Sequence, residues 1–485
     1  MIPPSLLRVF AKGGVISPAD LLRTMDASSA AGNRFVMFSS RQDILFPVDE
    51  SGAPAAEEIL HQGGLDFFRT SREALSDPEQ PRNIVSSYAS VNVMDTTWWL
   101  KEAVYQQTLA NFEGQPRLKV NIVDPVQSLV PLFGGHVHFI ASREEHHWHL
   151  YLREGDLSEK IERWPGLIHG DDLARVAREI EARLRSVPGT PLSRLIEDLK
   201  HDLVGIESEA AEDDLRLPNP LFPYYEGLNP MLNNQYWLGL YWRNNRFDID
   251  FLRAACHLCQ DTKVGRISLT PWKSFIIKGI RAEDRLRWEK LMGAFGINMR
   301  HSSLELNWHI PALDNHLLEL KNDLVRQLTF EDISTHGLTF TVKSADPMLL
   351  FTSVVIEREA REMAGAPRYA IRHAREFNPN LGEYLPYATG LGREELPARL
   401  IELSKQYSSQ LDPEGAARLT SPDGAGSAQI DSNQQCGDCL TIYDSDYGDQ
   451  VSGIPPGVRF DELPDDYACP ICAAGKERFS VLARA

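Results

Sequence analysis

The sequence predicts an α+β protein: a large body built from a duplicated unit, followed by a small C-terminal domain folded around a metal. Three observations carry this. The chain has 485 residues, too many for one ordinary domain, and at roughly 100 to 200 residues per domain it holds about three to five units. A helix, strand, turn, strand pattern occurs twice, about 230 residues apart. Four of the six cysteines stand as two CxxC pairs near the C-terminus, beyond a segment with scarcely any apolar periodicity.

Composition narrows the functional classes. Hydrophobic residues make up 42% and charged residues 24% of the chain, ordinary globular values. No run of 18 or more uncharged apolar residues occurs, so a membrane role is not expected. The start, MIPPSLLRVFAKGG, lacks the apolar run and cleavage site of a secretory signal, which predicts a cytoplasmic protein. The formal net charge of −18, from 68 acidic and 50 basic residues, argues against nucleic acid, because phosphates meet repulsion over most of the surface. It leaves basic proteins as partners. No GxxxxGK[ST] loop, GxGxxG fingerprint or GxSxG elbow is present, so nucleotide hydrolysis and flavin or nicotinamide binding find no support. Electrons must then come from another protein.

In chain order, ISPADLLRTMDASSA has helical spacing and leads into NRFVMFSSRQDILFPV, which reads as strand, turn and apolar strand. Much later FDIDFLRAACHLCQDT leads in the same way into VGRISLTPWKSFIIKGI. Superposing Ser39 on Thr270 brings Arg41 onto Trp272 and Gln42 onto Lys273, as a tandem duplication requires. Between the copies DTTWWLKEAVYQQTLANF and LARVAREIEARLRSV read as helices, and PRLKVNIVD, GGHVHFIAS and HHWHLYLR as strands. The Pro-rich passage at 215–230 joins the two halves. Near the end of the body Leu396, Leu400, Ile401 and Leu403 share one helical face. Residues 411–434 are rich in Gly, Ala, Ser, Asp and Pro and read as a flexible linker with an r.m.s. reach of about 25 to 30 Å.

Cys436, Cys439, Cys469 and Cys472 form CGDC and CPIC, with 29 residues between the pairs. A two-residue loop brings both sulfurs of a pair to one side, so two such loops can surround one ion. Tetrahedral sulfur suits iron or zinc, and spacing alone does not choose between them. In a long chain without a secretory signal this pattern fits metal or redox chemistry better than disulfides.

The stretch YDSDYGDQVSGIPPGVRFDELPDDYACPIC, with Phe479, closely resembles the rubredoxin pattern over about fifty residues. Tyr443, Phe460, Tyr467 and Phe479 would supply the aromatic core that so small a unit needs around its metal. Gly453 and Gly457 permit tight turns, and Pro455, Pro456, Pro464 and Pro470 stiffen them. The resemblance implies one iron ion in four thiolates, cycling between ferric and ferrous states, with no open coordination position for substrate. Two departures stand out: Leu440 and Ala473 occupy places where the pattern has glycine, and Tyr467 replaces the usual tryptophan.

Several body segments resemble the sirohaem-dependent nitrite and sulfite reductases. SSRQDILFPV and LTPWKSFIIKGI look like that family's two turns, PRNIVSS like its Arg-Asn step and QPRLKVNI like its basic strand. The resemblance implies a first ferredoxin-like half at 1–75, a first sirohaem-reductase-like α/β region at 76–214, a second ferredoxin-like half at 215–285 and a second α/β region with a helical extension at 286–410. The linker at 411–434 and a rubredoxin-like domain at 435–485 complete the chain. Carried over residue by residue, Arg41, Arg82, Arg117 and Lys119 match the basic positions that hold sirohaem carboxylates and the anionic substrate. Guanidinium and ammonium groups suit that task because they make charge-assisted hydrogen bonds. The family's four-iron four-sulfur cluster needs cysteines after the second turn, and residues 281–410 contain none. Where they would fall the chain reads RHSSLELNWHIP and TFTVKSADPMLLFTSVV, so no such cluster is expected.

Two further groups qualify as candidates. Cys256 and Cys259 share a helical face with Leu252 and Ala255, the pattern of packed thiols. His136, His138, His146, His147 and His149 fall in a hairpin whose alternation could gather a metal site. The sequence therefore points to an electron carrier whose iron module exchanges electrons with protein redox partners, a donor and an acceptor with a basic docking surface. The alternatives are a reductase-type enzyme binding a tetrapyrrole such as sirohaem, or an anion, in the body, and a structural zinc adaptor.

Overall fold

The computed structural model describes residues 5–481 apart from 72–73, 75–76, 78, 155–159, 187–190, 203–207, 211–214, 216, 218–220, 232–233, 298–304, 312, 346–347, 360–366, 412–433, 439–440, 444, 446–447, 450–451 and 456. The expected linker therefore lies, but for its ends, outside the described residues. So do parts of the 215–230 connector and of the two segments read in place of the cluster cysteines. The chain divides into two compact units, Met1–Ser408 and Ser409–Ala485.

The duplication is visible in the smallest details of the body. Helix Pro18–Ala30 starts where the Ser17 hydroxyl accepts from the Asp20 N–H, with Pro18 in the first turn. Helix Ile249–Asp261 has the same length and starts where the Asp248 carboxylate accepts from the Phe251 N–H. Each leads to a strand pair, Phe35–Phe38 with Ile44–Val48 and Ile267–Thr270 with Ser274–Arg281. Gln42 and Lys273, equated by the sequence repeat, both sit left-handed in their turns, at φ +60° and +57°. Helix Ala53–Gln62 in the first copy has its counterpart in Arg285–Ala294.

The two copies exchange edge strands. Phe247–Asp248 pairs with Phe35 and Val36 at the edge of the first copy's sheet, whose order continues through Ile44–Val48, Ser5–Val9 and Phe67–Ser71. Reciprocally, Val15–Ile16 pairs with Ile267 and Ser268 at the edge of the second sheet, which continues through Ser274–Arg281, Gln235–Tyr241 and Gly227–Met231. One hydrophobic core, including Leu21, Met25, Phe38, Phe247, Phe251 and Phe275, is consequently drawn from both copies.

Each copy is followed by a mixed sheet of related design. The first places Val85–Ser86, Val120–Val123 and Val137–Ala141 parallel, then adds His147–Arg153, Ile161–His169 and Ser208–Ala210 antiparallel. The second places Trp308–His309, Phe340–Lys343 and Val354–Arg358 parallel, then adds Tyr369–Ala374 and Tyr384–Leu391 antiparallel. Helix Leu396–Leu411 buries Leu396, Leu400 and Leu403 in the core of this last sheet, with Ile401 at its margin. The helix expected across DTTWWLKEAVYQQTLANF is shorter and spans only Glu102–Ala110. Asp124 takes the N–H and hydroxyl of Thr97, at 2.7 and 2.8 Å, and holds the preceding residues in an irregular turn. Among the described residues no helix is long and apolar enough to cross a membrane.

Candidate metal centre

The C-terminal unit is organised around a three-stranded sheet in which Gln434–Cys436 lies between Ile442–Tyr443 and Phe479–Val481. Beyond each cysteine pair the chain doubles back. The Cys436 N–H donates to the Thr441 carbonyl and the Cys469 N–H to that of Ala474, both at 2.8 Å. These turns bring the Sγ atoms of Cys436, Cys469 and Cys472 within 4.8 Å of one another. Sulfurs about 2.3 Å from a tetrahedral ion stand about 3.8 Å apart, and the Cys436 and Cys472 sulfurs are 3.6 Å apart. The three side chains thus fit a tetrathiolate metal site. The fourth expected ligand, Cys439, lies outside the described residues, as does Leu440. Cys436 and Cys469 are buried, whereas Cys472 is exposed.

Ala473, found where the resembled pattern has glycine, adopts the left-handed φ of +60°. Its N–H donates to the Cys469 carbonyl at 2.8 Å, so the tight loop is kept despite the β-carbon. Gly453 and Gly457 also take positive φ, at the turns where the sequence needs them. Tyr443, Leu463 and Tyr467 form the buried cluster of the unit, with Phe460 and Phe479 packed against it. The Tyr467 hydroxyl donates to Asp449 at 2.9 Å and the Tyr443 hydroxyl to the Val458 carbonyl at 2.8 Å. Burial, then the bond to Asp449, pushes the Tyr467 phenol well above its usual range, so it stays a donor. At the surface Arg478 pairs with Asp438 and holds that carboxyl below its ordinary value.

The guanidinium groups of Arg41, Arg82 and Arg117 donate to the protein's own acceptors. The Arg41 guanidinium donates to the Asn121 side chain and the Asn83 carbonyl, both at 2.6 Å, and to the Val120 carbonyl at 2.8 Å. Arg82 is buried, with its N–H on the Pro116 carbonyl and its guanidinium on the Asp77 carbonyl. Arg117 reaches the carbonyl and carboxylate of Glu79, at 2.9 and 3.6 Å. Lys119 is half-buried, and its N–H donates to His136 Nδ1 at 3.3 Å.

Cys256 and Cys259 are buried in the core shared by the two copies. Burial pushes both thiols up, Cys259 to about 12, so neither forms a thiolate at neutral pH. The histidine hairpin forms, but among the described residues the only three metal-binding side chains that converge are Cys436, Cys469 and Cys472. His138 is fully buried, accepts from the Gly135 N–H at 3.0 Å, and is held neutral first by burial and then by Arg153. A buried basic pair, Lys273 and His309, went unnoticed in the sequence reading. The only trace of it was the alignment of Lys273 on Gln42 across the repeat.

Residues 433–479 match the Rubredoxin family. The high molecular weight rubredoxin of Moorella thermoacetica is 51% identical over 45 residues, which are 9% of this chain and 20% of that protein. The chain thus spans only a fifth of that relative. Rubredoxin-2 of Chlorobaculum tepidum is 46% identical over 46 residues, 10% of this chain and 88% of that protein. Among solved structures, Mycobacterium tuberculosis NirA protein matches with a TM-score of 0.58 at 17% identity, covering 82% of this chain and 80% of its own. Coverage so large lies mostly in the body, which shares the α+β fold of that protein. Through its C-terminal domain, the chain belongs to the rubredoxin family.

Proposed function

We propose that this chain is an electron-transfer protein, carrying one electron on an iron held by Cys436, Cys439, Cys469 and Cys472, with the reductase-like body serving to dock its partners. The trio of sulfurs within 4.8 Å of one another, in a domain of the rubredoxin family, is the observation that carries this reading. Bound there, iron supplies a one-electron couple in a saturated coordination shell. Buried Cys436 and Cys469 shield one side of the site, while Cys472 surfaces beside Ile471, which is 73% exposed. A partner therefore meets a thiolate next to an apolar contact. From Cys436 to the end, nine acidic residues face four basic ones, which steers the module towards a basic patch on its donor or acceptor.

The body supports docking better than catalysis. Segments read in place of the cluster cysteines carry Trp308, Phe340 and Val354, all buried in an apolar core. Arg41 spends its guanidinium on protein acceptors.

The test is an absorption spectrum of the aerobically purified full chain before and after dithionite, with iron and zinc quantified in the same sample. One iron per chain, with thiolate-to-iron bands that bleach, is expected. A colourless protein with one zinc overturns electron transfer in favour of a structural adaptor, and an added Soret-type band favours a tetrapyrrole enzyme. Electron transfer to a basic c-type cytochrome should also slow as ionic strength rises and the Debye length falls from about 30 Å at 0.01 M to about 8 Å at 0.15 M. A salt-independent rate removes the basic partner.

A further inference from the structure

The duplication provides an internal control for a cavity that opens beside the second copy's turn and is lined by residues of both copies. In the first copy, Gln42 fills its turn: its side-chain amide donates to the carbonyls of Ser86, at 3.0 Å, and Leu269, at 2.9 Å. A β-carbon on the neighbouring Gly14 would lie 2.6 Å from the Gln42 side chain, so this corner is closed. In the second copy Gly13 and Gly14 are matched by Asn244 and Asn245, which keep left-handed φ of +62° and +54° with full side chains. Lys273 stands in place of Gln42, and a cavity of about 290 Å³ opens beside it.

One part of the wall is apolar and largely aromatic, with Phe35, Tyr241, Trp272, Trp308, Ile310 and Leu318, and Asn33, Asn244, Asn245 and Asn315 add amide groups. Its charged groups are Lys273, Lys321, Arg246 and Asp314. Lys321 is matched by Glu305, which also takes Arg243. Arg246 lies over the Phe35 ring. Asp314 caps the helix Asn315–Phe330 by accepting from the Leu317 N–H at 3.0 Å. Lys273 is 9% exposed, and among the described residues no carboxylate pairs with it; its ammonium meets only the Ile310 carbonyl. Burial, and then Lys321, pull this amine down to about 7, and next to it His309 is kept neutral by burial and by Lys273. Among the described residues Lys273 therefore has no counter-ion, and it lies against aromatic surface.

We propose that this cavity is a binding site for a small aromatic carboxylate, with the ring between the tryptophan and tyrosine walls and the carboxylate on Lys273. A buried amine and a carboxylate make a charge-assisted hydrogen bond, and the aromatic walls contribute by burying the ring. All of its lining residues belong to the unit Met1–Ser408. At the equivalent turn of the first copy, Gln42 fills the corner instead.

The experiment is calorimetric titration of the full chain with benzoate and 1-naphthoate in buffers of differing ionisation enthalpy, at pH 6 and pH 8.5. A bound carboxylate raises the amine's depressed pKa, so binding should take up about one proton at pH 8.5 and almost none at pH 6, where Lys273 is already charged. Lys273→Gln installs the residue that the other copy carries in the same left-handed turn, and should weaken binding by about tenfold or more. Absence of saturable binding by either acid, binding without proton uptake at pH 8.5, or equal affinity in K273Q each overturns the proposal. Proton uptake is read on the unaltered protein and does not depend on the variant folding.

Discussion

Ala473 pays for its place in the metal loop with a β-carbon in the left-handed region, which costs about 1 kcal/mol relative to glycine. Its φ is fixed from outside, because the N–H must reach the Cys469 carbonyl for the loop to close under the sulfurs. Ala473→Gly should accordingly stabilise the metal-loaded domain by about 1 kcal/mol, read as slower loss of the iron chromophore in denaturant. Ala473→Val should act in the opposite direction, since β-branching crowds a left-handed backbone further. Faster loss from the glycine variant would mean that the loop is not left-handed. At this scale the metal centre was legible because cysteine pairs, turn glycines and aromatics are each chemically distinctive at fixed spacing. The state of Arg41 was not, since its acceptors Asn83, Val120 and Asn121 come from segments some 40 to 80 positions away that only the fold brings together.

Between elements, the two-residue strands tie the copies together more than their length suggests. Phe247 pairs with Val36 across the exchange and contacts Phe38 and Phe275, with ring centroids 4.3 and 5.7 Å away, so it joins both sheets in one core. Phe247→Ala should destabilise the body by about 3 to 5 kcal/mol and should do so for both copies at once. In scanning calorimetry of the full chain the body transition is expected to move down in temperature as a single peak. Splitting into two body peaks would show that each copy folds alone and that the exchange is incidental. The repeat itself could be read from the sequence because helix caps, helix lengths and turn positions recur at one offset, Ser17 with Asp248 and Gln42 with Lys273. The exchange could not, for strands as short as Val15–Ile16 and Phe247–Asp248 have no periodicity to recognise. The helix expected from residue 95 onwards starts late for a related reason: Asp124, far along the chain, takes the Thr97 N–H and hydroxyl and fixes that stretch in a turn.

Across the whole molecule, the two units rest on different sources of stability. The body has several extensive apolar cores, whereas the buried cluster of the C-terminal unit is Tyr443, Leu463 and Tyr467. A domain of about fifty residues with so small a core needs its metal to fold. This contrast was already present in the sequence, where the C-terminal domain could be recognised from one continuous pattern, while the body could be recognised only from scattered turns and their order. Physically, a metal site concentrates its constraints in a few invariant chemical types, but a large core accepts many apolar residues of suitable volume. Removing the metal by acid and chelator, or changing Cys436 to serine, should therefore unfold residues 434–481 and leave the body transition in place. The check is limited proteolysis with mass spectrometry alongside calorimetry of the full chain. Cleavage sites are expected to appear within the C-terminal unit while the body peak keeps its midpoint and enthalpy. Persistent protection of the metal-free unit would show that its aromatic cluster suffices without thiolate ligation, and a shifted body peak would show that the two units stabilise each other.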